Sequence, residues 1–201
     1  MSPITAVIFD VANVIVDWSA ARALNGVVPA ERIREFLGSD TFWEINALTD
    51  AGLLLSDGLR TFEETDPDLA AIYRIYLERF PLTVTGPIPG TAEVIEELLA
   101  AGVPTFGLSN WSAENFHIAR AANPVIDRLA DVIVSGHVGM AKPDPEIFRH
   151  ALHRFGLDAA TTVMIDDTEV NLDNAATVGL ATVHFTAANR LRQDLVALGL
   201  L

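Results

Sequence analysis

The fold is decided by the stretch Val7-Ile8-Phe9-Asp10-Val11-Ala12-Asn13-Val14, in which a run of apolar residues ends at a carboxylate. Residues 4–9 form a short, mainly apolar run that includes β-branched residues, which is typical of a strand buried in a parallel sheet. Similar apolar runs occur further along the chain at residues 105–108, 132–134, 162–165 and 181–185. The sequence therefore predicts several buried strands, the first of which carries Asp10 at its carboxyl end.

Amphipathic helices separate these predicted strands. Residues 92–101 form one helix that is followed by Gly102, and residues 145–155 form another that begins after Asp144 and ends before Gly156. An aspartate before the first turn and a glycine after the last turn are common helix boundaries. The alternation of strand and helix predicts an α/β fold with a doubly wound parallel sheet, whose ligand site lies beyond the carboxyl ends of the strands.

The region between about Trp18 and Gly86 interrupts this alternation. Residues 29–37, 41–48 and 67–80 have helical patterns, and no strand of comparable quality lies between them. We therefore predict a core formed by residues 1–17 and 87–201, with a small helical insertion formed by residues 18–86. Trp18 and Trp43 are expected to serve in core or insertion packing, whereas Trp111 could form a wall of the ligand pocket.

Composition makes several kinds of partner poor candidates. The formal net charge is −14, so the surface should repel nucleic acid phosphates and anionic lipid headgroups, and neither nucleic acid nor a membrane is an expected partner. The chain has no cysteine, which excludes a disulfide framework and a thiolate zinc site. The N-terminal residues lack the pattern of a signal peptide and no apolar run is long enough to cross a bilayer, so a cytoplasmic location is expected.

Polar residues follow the predicted strands at the edge where the ligand site is expected: Asp10, Ser109, Asn110, Lys142, Asp166 and Asp167. These residue types suit displacement at phosphorus by a carboxylate. Asp10 with Asp166 or Asp167 would supply hard oxygen ligands for Mg²⁺, and the adjacent pair of carboxylates needs a cation to offset its repulsion. Lys142 would place a positive charge against the transferring phosphoryl group, while the Ser109 hydroxyl and the Asn110 backbone N–H would donate to its oxygens.

These residues stand in four motifs that together resemble those of the haloacid dehalogenase-like superfamily. The stretch quoted above is similar to the first motif, and Leu108-Ser109-Asn110 is similar to the second. The third and fourth are matched by Gly139-Met140-Ala141-Lys142-Pro143-Asp144-Pro145-Glu146-Ile147-Phe148 and by Val163-Met164-Ile165-Asp166-Asp167 with Asn171 and Ala175-Ala176. The resemblance implies a hydrolase with a Rossmann-like core, with Asp10 as nucleophile and the carbonyl of Ala12 as a further metal ligand.

The resemblance extends to the insertion and to one residue behind the site. An insertion between the first and second motifs is similar to the small helical cap of a subgroup that includes sugar phosphatases and 2-haloacid dehalogenases. By this resemblance, the cap closes over the site and selects the substrate. Asn171 is expected to orient the loop after the acidic pair, although a residue on an exposed helix surface is the simpler alternative.

The chain departs from the phosphatases of this superfamily at residue 12. Those enzymes usually carry a second aspartate two positions after the nucleophile, which protonates the leaving group, and this chain has Ala12 there. General acid–base catalysis contributes roughly 10²–10⁴-fold, so hydrolysis should be slower while metal and phosphate still bind. Leaving groups that need little protonation, such as an anomeric sugar oxygen, an acyl group or a phenol, should then be favoured. Asp17 is a candidate substitute acid.

Three functions are consistent with these residues. The preferred hypothesis is a Mg²⁺-dependent phosphatase of a small phosphorylated metabolite, a sugar phosphate among the candidates, which works through an aspartyl-phosphate on Asp10. One alternative is a 2-haloacid dehalogenase, although that branch generally has a serine-asparagine element where this chain has Asp166-Asp167. The other is a catalytically impaired member of the superfamily that binds a metabolite or a protein. The sequence leaves the substrate and the oligomeric state open.

Overall fold

A parallel sheet of five strands forms the centre of the molecule in the computed structural model, which describes residues 3–201. The strands of the chain are β1 (Ala6–Phe9), β2 (Val16–Trp18), β3 (Val84–Pro87), β4 (Thr105–Ser109), β5 (Val132–Val134), β6 (Thr162–Asp166) and β7 (Ala181–His184). In the parallel sheet their order is β5-β4-β1-β6-β7. The chain thus proceeds from β1 to one side of the sheet and later returns to the other, which is the predicted doubly wound arrangement.

Helices occupy both faces of this sheet and most of the insertion. They are α1 (Ala21–Leu24), α2 (Ala30–Leu37), α3 (Asp40–Asp50), α4 (Leu55–Thr65), α5 (Pro67–Glu78), α6 (Thr91–Ala100), α7 (Phe116–Ala122), α8 (Ser135–Val138), α9 (Pro145–Phe155), α10 (Glu169–Thr177) and α11 (Ala188–Ala197). Short 3₁₀ turns lie at Phe80–Thr83, Pro124–Arg128 and Ala159–Thr161. Within residues 3–201, every helix is too short or too polar to span a membrane.

Successive side chains of β1 point to opposite faces of the sheet, and both faces are covered, which explains why the strand is apolar throughout. Val7 and Phe9 point to one face, into a cluster with residues of α6, α7 and α11, whereas Ile8 points to the other, among residues of α9 and α10. All three side chains are fully buried. Burial of an apolar side chain of this size contributes roughly 1.5–3 kcal/mol. A strand covered on both faces has no polar side, as the sequence predicted.

Two short strands at the entrance and exit of the insertion were missed by the sequence prediction. β2 and β3 pair antiparallel, with a register irregularity between Val16 and Trp18. The turn before β2 contains Asn13 at a φ of 56°, a left-handed conformation that asparagine tolerates better than most residues. Strands of three and four residues are too short for a clear alternating pattern. They span the predicted borders at 17/18 and 86/87, and the division into core and cap stays a proposal.

The helices of the insertion, called the cap below, agree with the prediction apart from α1 and α4, which no predicted segment covers. Segments 29–37, 41–48 and 67–80 correspond to α2, α3 and α5, although α3 continues to Asp50 and α5 ends at Glu78. In α4, Gly58 weakens the helical pattern. A Cβ at this position would lie 2.9 Å from Ile45 Cγ2. The glycine therefore allows α4 to pack closely on α3, which the sequence pattern alone does not reveal.

Aromatic rings fill the interior of the cap. Phe36 contacts four other rings at centroid distances of 4.7–6.5 Å. Tyr76 stacks on Tyr73 and meets Phe80 edge to face. These residues belong to the same buried cluster as Val7 and Phe9. The cap interior is therefore continuous with one face of the core.

Candidate active site

The predicted site residues come together at the carboxyl ends of three adjacent strands. Asp10 follows β1, Ser109 ends β4 and Asp166 ends β6. Because these strands are parallel neighbours in the sheet, their ends open at the same edge. Lys142 reaches this edge from the loop between α8 and α9.

Lys142 is the cation at the centre of this edge. Its Nζ lies 2.9 Å from Asp10 Oδ1 and 2.6 Å from Asp166 Oδ2, and all three side chains are at most 7% exposed. Burial alone would lower the pKa of Lys142, but the charges of Asp10 and Asp166 outweigh it and raise the pKa above its ordinary value. Lys142 is the sole lysine among the 201 residues. Its ammonium carries three N–H donors, enough to contact both carboxylates at once.

Asp10 is held in a fixed orientation. Its Oδ1 accepts the backbone N–H of Val11 at 2.6 Å, in addition to the contact with Lys142. Burial raises the pKa of Asp10 to about 7, against the lowering effect of Lys142 and with a further increase from the charge of Asp166. The carboxylate therefore needs more positive charge nearby than Lys142 supplies.

Asp166 is occupied by protein donors. Its oxygens accept the backbone N–H of Thr168 at 2.9 Å and the side-chain amide of Asn171 at 3.0 and 3.2 Å. Together with Lys142, these contacts satisfy a carboxylate that is 0% exposed. Asn171 is thus buried and holds Asp166, rather than lying on an exposed helix surface.

A cluster of carboxylates surrounds the position where a cation could bind. Asp10, Asp166 and Asp167 each offer an oxygen, and these oxygens lie within 4.8 Å of one another. Partial burial, and then the charge of Asp166, raise the pKa of Asp167. Three carboxylates face a single ammonium, so a divalent cation with hard oxygen ligands would neutralise the excess negative charge. On charge and donor type, these residues fit a metal site.

The second motif supports Lys142 through its backbone. The side-chain amide of Asn110 donates to Lys142 O at 2.7 Å, and its carbonyl oxygen accepts the Lys142 N–H at 2.8 Å. The sequence predicts a role only for the backbone N–H of Asn110, so these two side-chain bonds are an additional function of the residue. Ser109 is fully buried, and its hydroxyl has no hydrogen-bond partner within the described residues.

Two adjoining cavities open at this edge. The core chamber is lined by Asp10, Ala12, Asn13, Trp18, Trp43, Asn110, Lys142, Asp167, Thr168 and Asn171. The cap chamber is lined by Ala12, Trp18, Trp43, Asn46, Thr49, Asp50, Leu55, Tyr73, Tyr76, Phe80, Asn110, Trp111, Ser112 and Asn115. They share Ala12, Trp18, Trp43 and Asn110. A ligand in contact with Asp10 can therefore extend past Ala12 into the cap.

Two expectations about this region need correction. Trp18 and Trp43 do not serve only in packing, because both line the two chambers and Trp43 is 49% exposed. Asp17 lines neither chamber. Its carboxylate binds Arg22 through two hydrogen bonds of 2.7 and 2.8 Å, and these bonds lower its pKa. A carboxylate that holds its charge so firmly is a poor proton donor, so the suggestion that Asp17 replaces the missing acid is wrong.

Asp50 is a polar residue of the cap chamber that the sequence analysis missed. It is the last residue of α3, and its Oδ2 accepts the side-chain amide of Asn46 at 3.1 Å. Burial raises the pKa of Asp50 to about 7, although Lys142 and Asn46 lower it. A carboxylate at the carboxyl end of a helix also opposes the helix dipole. An acidic residue in that position, with no basic residue in the last turn, is the signal that could have drawn attention to it.

The cap chamber also presents polar atoms without partners. Trp111 Nε1, a donor, and Asn115 Oδ1, an acceptor, are both buried and lack hydrogen-bond partners within the described residues. Buried polar atoms are nearly always satisfied by protein, water or ligand. Both atoms are screened from solvent, so neither is open to a ligand in the chamber as it stands. Trp111 lines the pocket, as the sequence suggested.

Comparison with known proteins places this chain in a family. A family model described as haloacid dehalogenase-like hydrolase matches residues 4–179. The sesquiterpene phosphatase astK of Aspergillus oryzae is 32% identical over 93 residues, which are 46% of this chain and 47% of that protein. Protein CbbY of Cereibacter sphaeroides is 28% identical over 98% of this chain and 94% of its own length. The chain spans less than half the length of the first curated relatives that it matches.

A solved structure has the same fold. A haloacid dehalogenase family enzyme of Bacteroides thetaiotaomicron, in complex with magnesium and inorganic phosphate, superposes with a TM-score of 0.70. The match covers 92% of this chain and 95% of that one, at 19% sequence identity. At this identity the match supports the fold, and the ligands in that complex are properties of that enzyme.

Proposed function

The chain belongs to the haloacid dehalogenase-like hydrolases, and we propose that within this family it is a Mg²⁺-dependent phosphatase of a small phosphorylated metabolite. The observation that carries the proposal is the pairing of Asp10 with Lys142 beside Asp167, all three of which line the core chamber. A nucleophile, a cation for the phosphoryl group and a candidate metal ligand thus meet at one cavity. Displacement at phosphorus requires this combination.

Mg²⁺ is the proposed cofactor. Asp10, Asp166 and Asp167 would hold it, together with the backbone carbonyl of Ala12. The close approach of the three carboxylate oxygens supports this set. When bound, the metal would neutralise the repulsion between the Asp10 carboxylate and the phosphate and favour the ionised form of Asp10.

Asp10 is the proposed nucleophile. An oxygen of its carboxylate forms a bond to phosphorus while the bond between phosphorus and the leaving-group oxygen breaks. Water then attacks phosphorus, the bond to Asp10 breaks, and inorganic phosphate leaves with the carboxylate restored. The contacts of Oδ1 with Val11 and Lys142 support this role, because they fix the orientation of the attacking group.

The phosphoryl group would be held by the residues around Asp10. Lys142 supplies the positive charge, and Asn110 fixes the backbone of Lys142 through two hydrogen bonds. Ser109 lines neither chamber, but its hydroxyl has no protein partner at the end of β4, and it is a proposed donor to a phosphate oxygen. The backbone N–H of Asn110 is the second proposed donor.

The organic part of the substrate is proposed to lie in the cap chamber. The walls of this cavity are mainly aromatic and apolar side chains with a few polar groups among them, as is common for sites that bind small organic molecules. Its aromatic walls favour a ligand with apolar surface, and the polar side chains of Asn46 and Asp50 in the same wall favour one with a hydroxyl group. A sugar phosphate or a phosphorylated apolar alcohol has both features.

The test is release of phosphate from a panel that includes sugar 1-phosphates, acetyl phosphate and p-nitrophenyl phosphate. We expect Mg²⁺-dependent release that is abolished by EDTA and by Asp10→Asn. Asp17→Asn is a matched control, because Asp17 lies outside both chambers, and it should retain most of the activity. Release of halide from 2-haloacids without metal would replace the proposal with the dehalogenase function. Binding of Mg²⁺ and phosphate with no turnover would replace it with an impaired binding protein.

A further inference from the structure

The proposed reaction lacks a proton donor in its usual place. Residue 12 is Ala12, whose methyl group cannot titrate, and it lines both chambers at the point where they meet. An alkoxide leaving group is far more basic than water at neutral pH, so it needs a proton as its bond to phosphorus breaks. The donor has to come from another part of the cavity wall.

Asp50 is placed to reach a leaving group in the cap chamber. It lines that chamber together with Ala12 and Asn110. The segment that follows it rests on the core, since a Cβ at Gly52 would lie 3.3 Å from Gly136 O and the N–H of Leu55 donates to Glu114 Oε2 at 2.6 Å. These contacts fix the carboxyl end of α3 against the core, with Asp50 facing the cavity.

The surroundings of Asp50 favour a carboxyl group that holds its proton near neutral pH. Burial raises its pKa to about 7, and Asn46 and Lys142 lower it without removing the shift. Tyr73 and Tyr76 of α5 are the other titratable groups of the chamber wall, with Glu114 close enough to act on Tyr73. A general acid works best when its pKa is close to the working pH.

The other acidic groups near the site are less suitable donors. Burial raises the pKa values of Tyr73 and Tyr76 above the ordinary value for tyrosine, so both hold their protons too tightly. Asp17 is tied to Arg22 and lies outside the chambers. Asp167 is a proposed metal ligand. Asp50 therefore remains as the carboxyl group of the cap chamber.

We propose that Asp50 is the general acid of this active site and takes the place of the aspartate that is absent at residue 12. Its carboxyl proton passes to the leaving-group oxygen as the phosphorus–oxygen bond breaks. The resulting carboxylate then accepts a proton from the water that attacks the aspartyl-phosphate, which restores the acid. This inference rests on the proposed phosphatase function. It also changes the expected substrates, because alkyl phosphates become as accessible as esters with good leaving groups.

The experiment compares Asp50→Asn with the wild type on two esters, p-nitrophenyl phosphate and an alkyl phosphate such as glycerol phosphate. The change keeps the shape of the side chain and removes the acid. We compare kcat/KM, because it reports the steps up to departure of the leaving group and not the later hydrolysis that both esters share. We expect kcat/KM for the alkyl ester to fall by about 10²–10³-fold, while kcat/KM for the aryl ester, whose leaving group needs no proton, changes by less than about threefold. Asp57→Asn is the matched control, because Asp57 pairs with Arg60 outside both chambers.

The pH profile provides a readout that a structural role would not change. In the wild type, kcat/KM for the alkyl ester should decrease above about pH 7, as Asp50 loses its proton. This decrease should be absent for Asp50→Asn, and aryl ester turnover should confirm that the variant still has a folded site.

The outcomes separate this inference from the function on which it rests. Equal losses of kcat/KM on both esters, or an unchanged kcat/KM for the alkyl ester, would overturn the role of Asp50 as the acid and leave the phosphatase function intact. Release of phosphate from neither ester by the wild type would overturn the phosphatase function and the inference together. Selective loss on the alkyl ester supports both.

Discussion

The two chambers of this active site are built by different forces. In the core chamber, Lys142 is held between Asp10 and Asp166 by contacts of 2.9 and 2.6 Å. In the cap chamber, packed rings such as Tyr73 and Tyr76 form the walls, and Asp50 is the acidic group among them. The first depends on the balance of charge and the second on the fit of apolar surfaces. We therefore expect substitutions that change charge to affect phosphoryl transfer. Substitutions that change packing should affect which leaving groups are accepted.

The largest expected effect comes from removing the central cation of the core chamber. Lys142→Gln leaves Asp10 and Asp166 buried side by side without a partner charge. Loss of one partner of a buried ion pair typically costs about 3–5 kcal/mol of unfolding free energy. We expect a loss of this size in urea denaturation at pH 8 without metal, together with loss of phosphate release.

The loss of unfolding free energy in Lys142→Gln should depend on pH, and this dependence identifies its electrostatic origin. Without the ammonium, the pKa of Asp10 should rise further above its value in the unfolded chain, so the folded protein binds a proton more readily as pH falls. The stability deficit of Lys142→Gln should therefore shrink between pH 8 and pH 5. Arg149→Gln, which removes an exposed pair with Glu146, should change stability by less than about 1 kcal/mol at either pH. A deficit independent of pH would contradict the electrostatic account.

The next largest effect tests packing in the cap. Gly58→Ala places a methyl 2.9 Å from Ile45 Cγ2 and 3.1 Å from Tyr73 Oη. Overpacking of this kind costs about 1–3 kcal/mol, and the gain in helix propensity of about 1 kcal/mol offsets part of it. We expect a net loss of up to about 2 kcal/mol in thermal or urea unfolding. Ser56→Ala on the same helix is exposed and should change stability little, and a more stable Gly58→Ala would show that α4 does not pack as closely on α3.

A third prediction returns to the core chamber and concerns competition between metal and proton. Burial raises the pKa of Asp10 from 3.8 to about 7, so the metal-free folded protein is protonated there as pH falls through 7. The contribution of Asp10 to the stability of the metal-free protein should accordingly decrease as pH rises from about 4 to 7. If Mg²⁺ displaces this proton, its affinity should fall about tenfold per pH unit below 7 and level off above it. Calorimetric titration with Mg²⁺ between pH 5.5 and 8.5 measures this, and a constant affinity would contradict it.

The core chamber could be predicted from the sequence because its residues stand at strand ends. A parallel strand places its last residue at a known edge of the sheet. The short apolar runs before Asp10 and Asp166 therefore predict that the two carboxylates lie close together, on the neighbouring strands β1 and β6. The part that was missed is the role of the Asn110 side chain. Its bonds to Lys142 link loops that are 32 residues apart, and no local pattern encodes such a contact.

The cap chamber could not be predicted in the same way. The position of Asp50 depends on how α3 packs against α4 and on how α3 contacts the core. The hydrophobic periodicity of the sequence determines neither. The helical pattern was followed only to residue 48, whereas α3 includes Asp50. The strands β2 and β3 were missed because each is too short for a pattern. Long-range packing, rather than local propensity, therefore determines which residues enter this chamber.

The smallest expected effect tests whether the two chambers act on the same reaction. Asn46 donates to Asp50 Oδ2 at 3.1 Å and lowers the pKa of Asp50. Asn46→Ala removes this donor, so the pKa of Asp50 should rise. The decrease of kcat/KM for an alkyl phosphate at high pH should move to higher pH accordingly, while p-nitrophenyl phosphate shows no such change. Asn174→Ala, which loses only an exposed bond to Val170 O, should leave the profile in place. An unchanged profile for Asn46→Ala would indicate that the proton comes from a group that Asn46 does not contact, and that the cap only encloses the substrate.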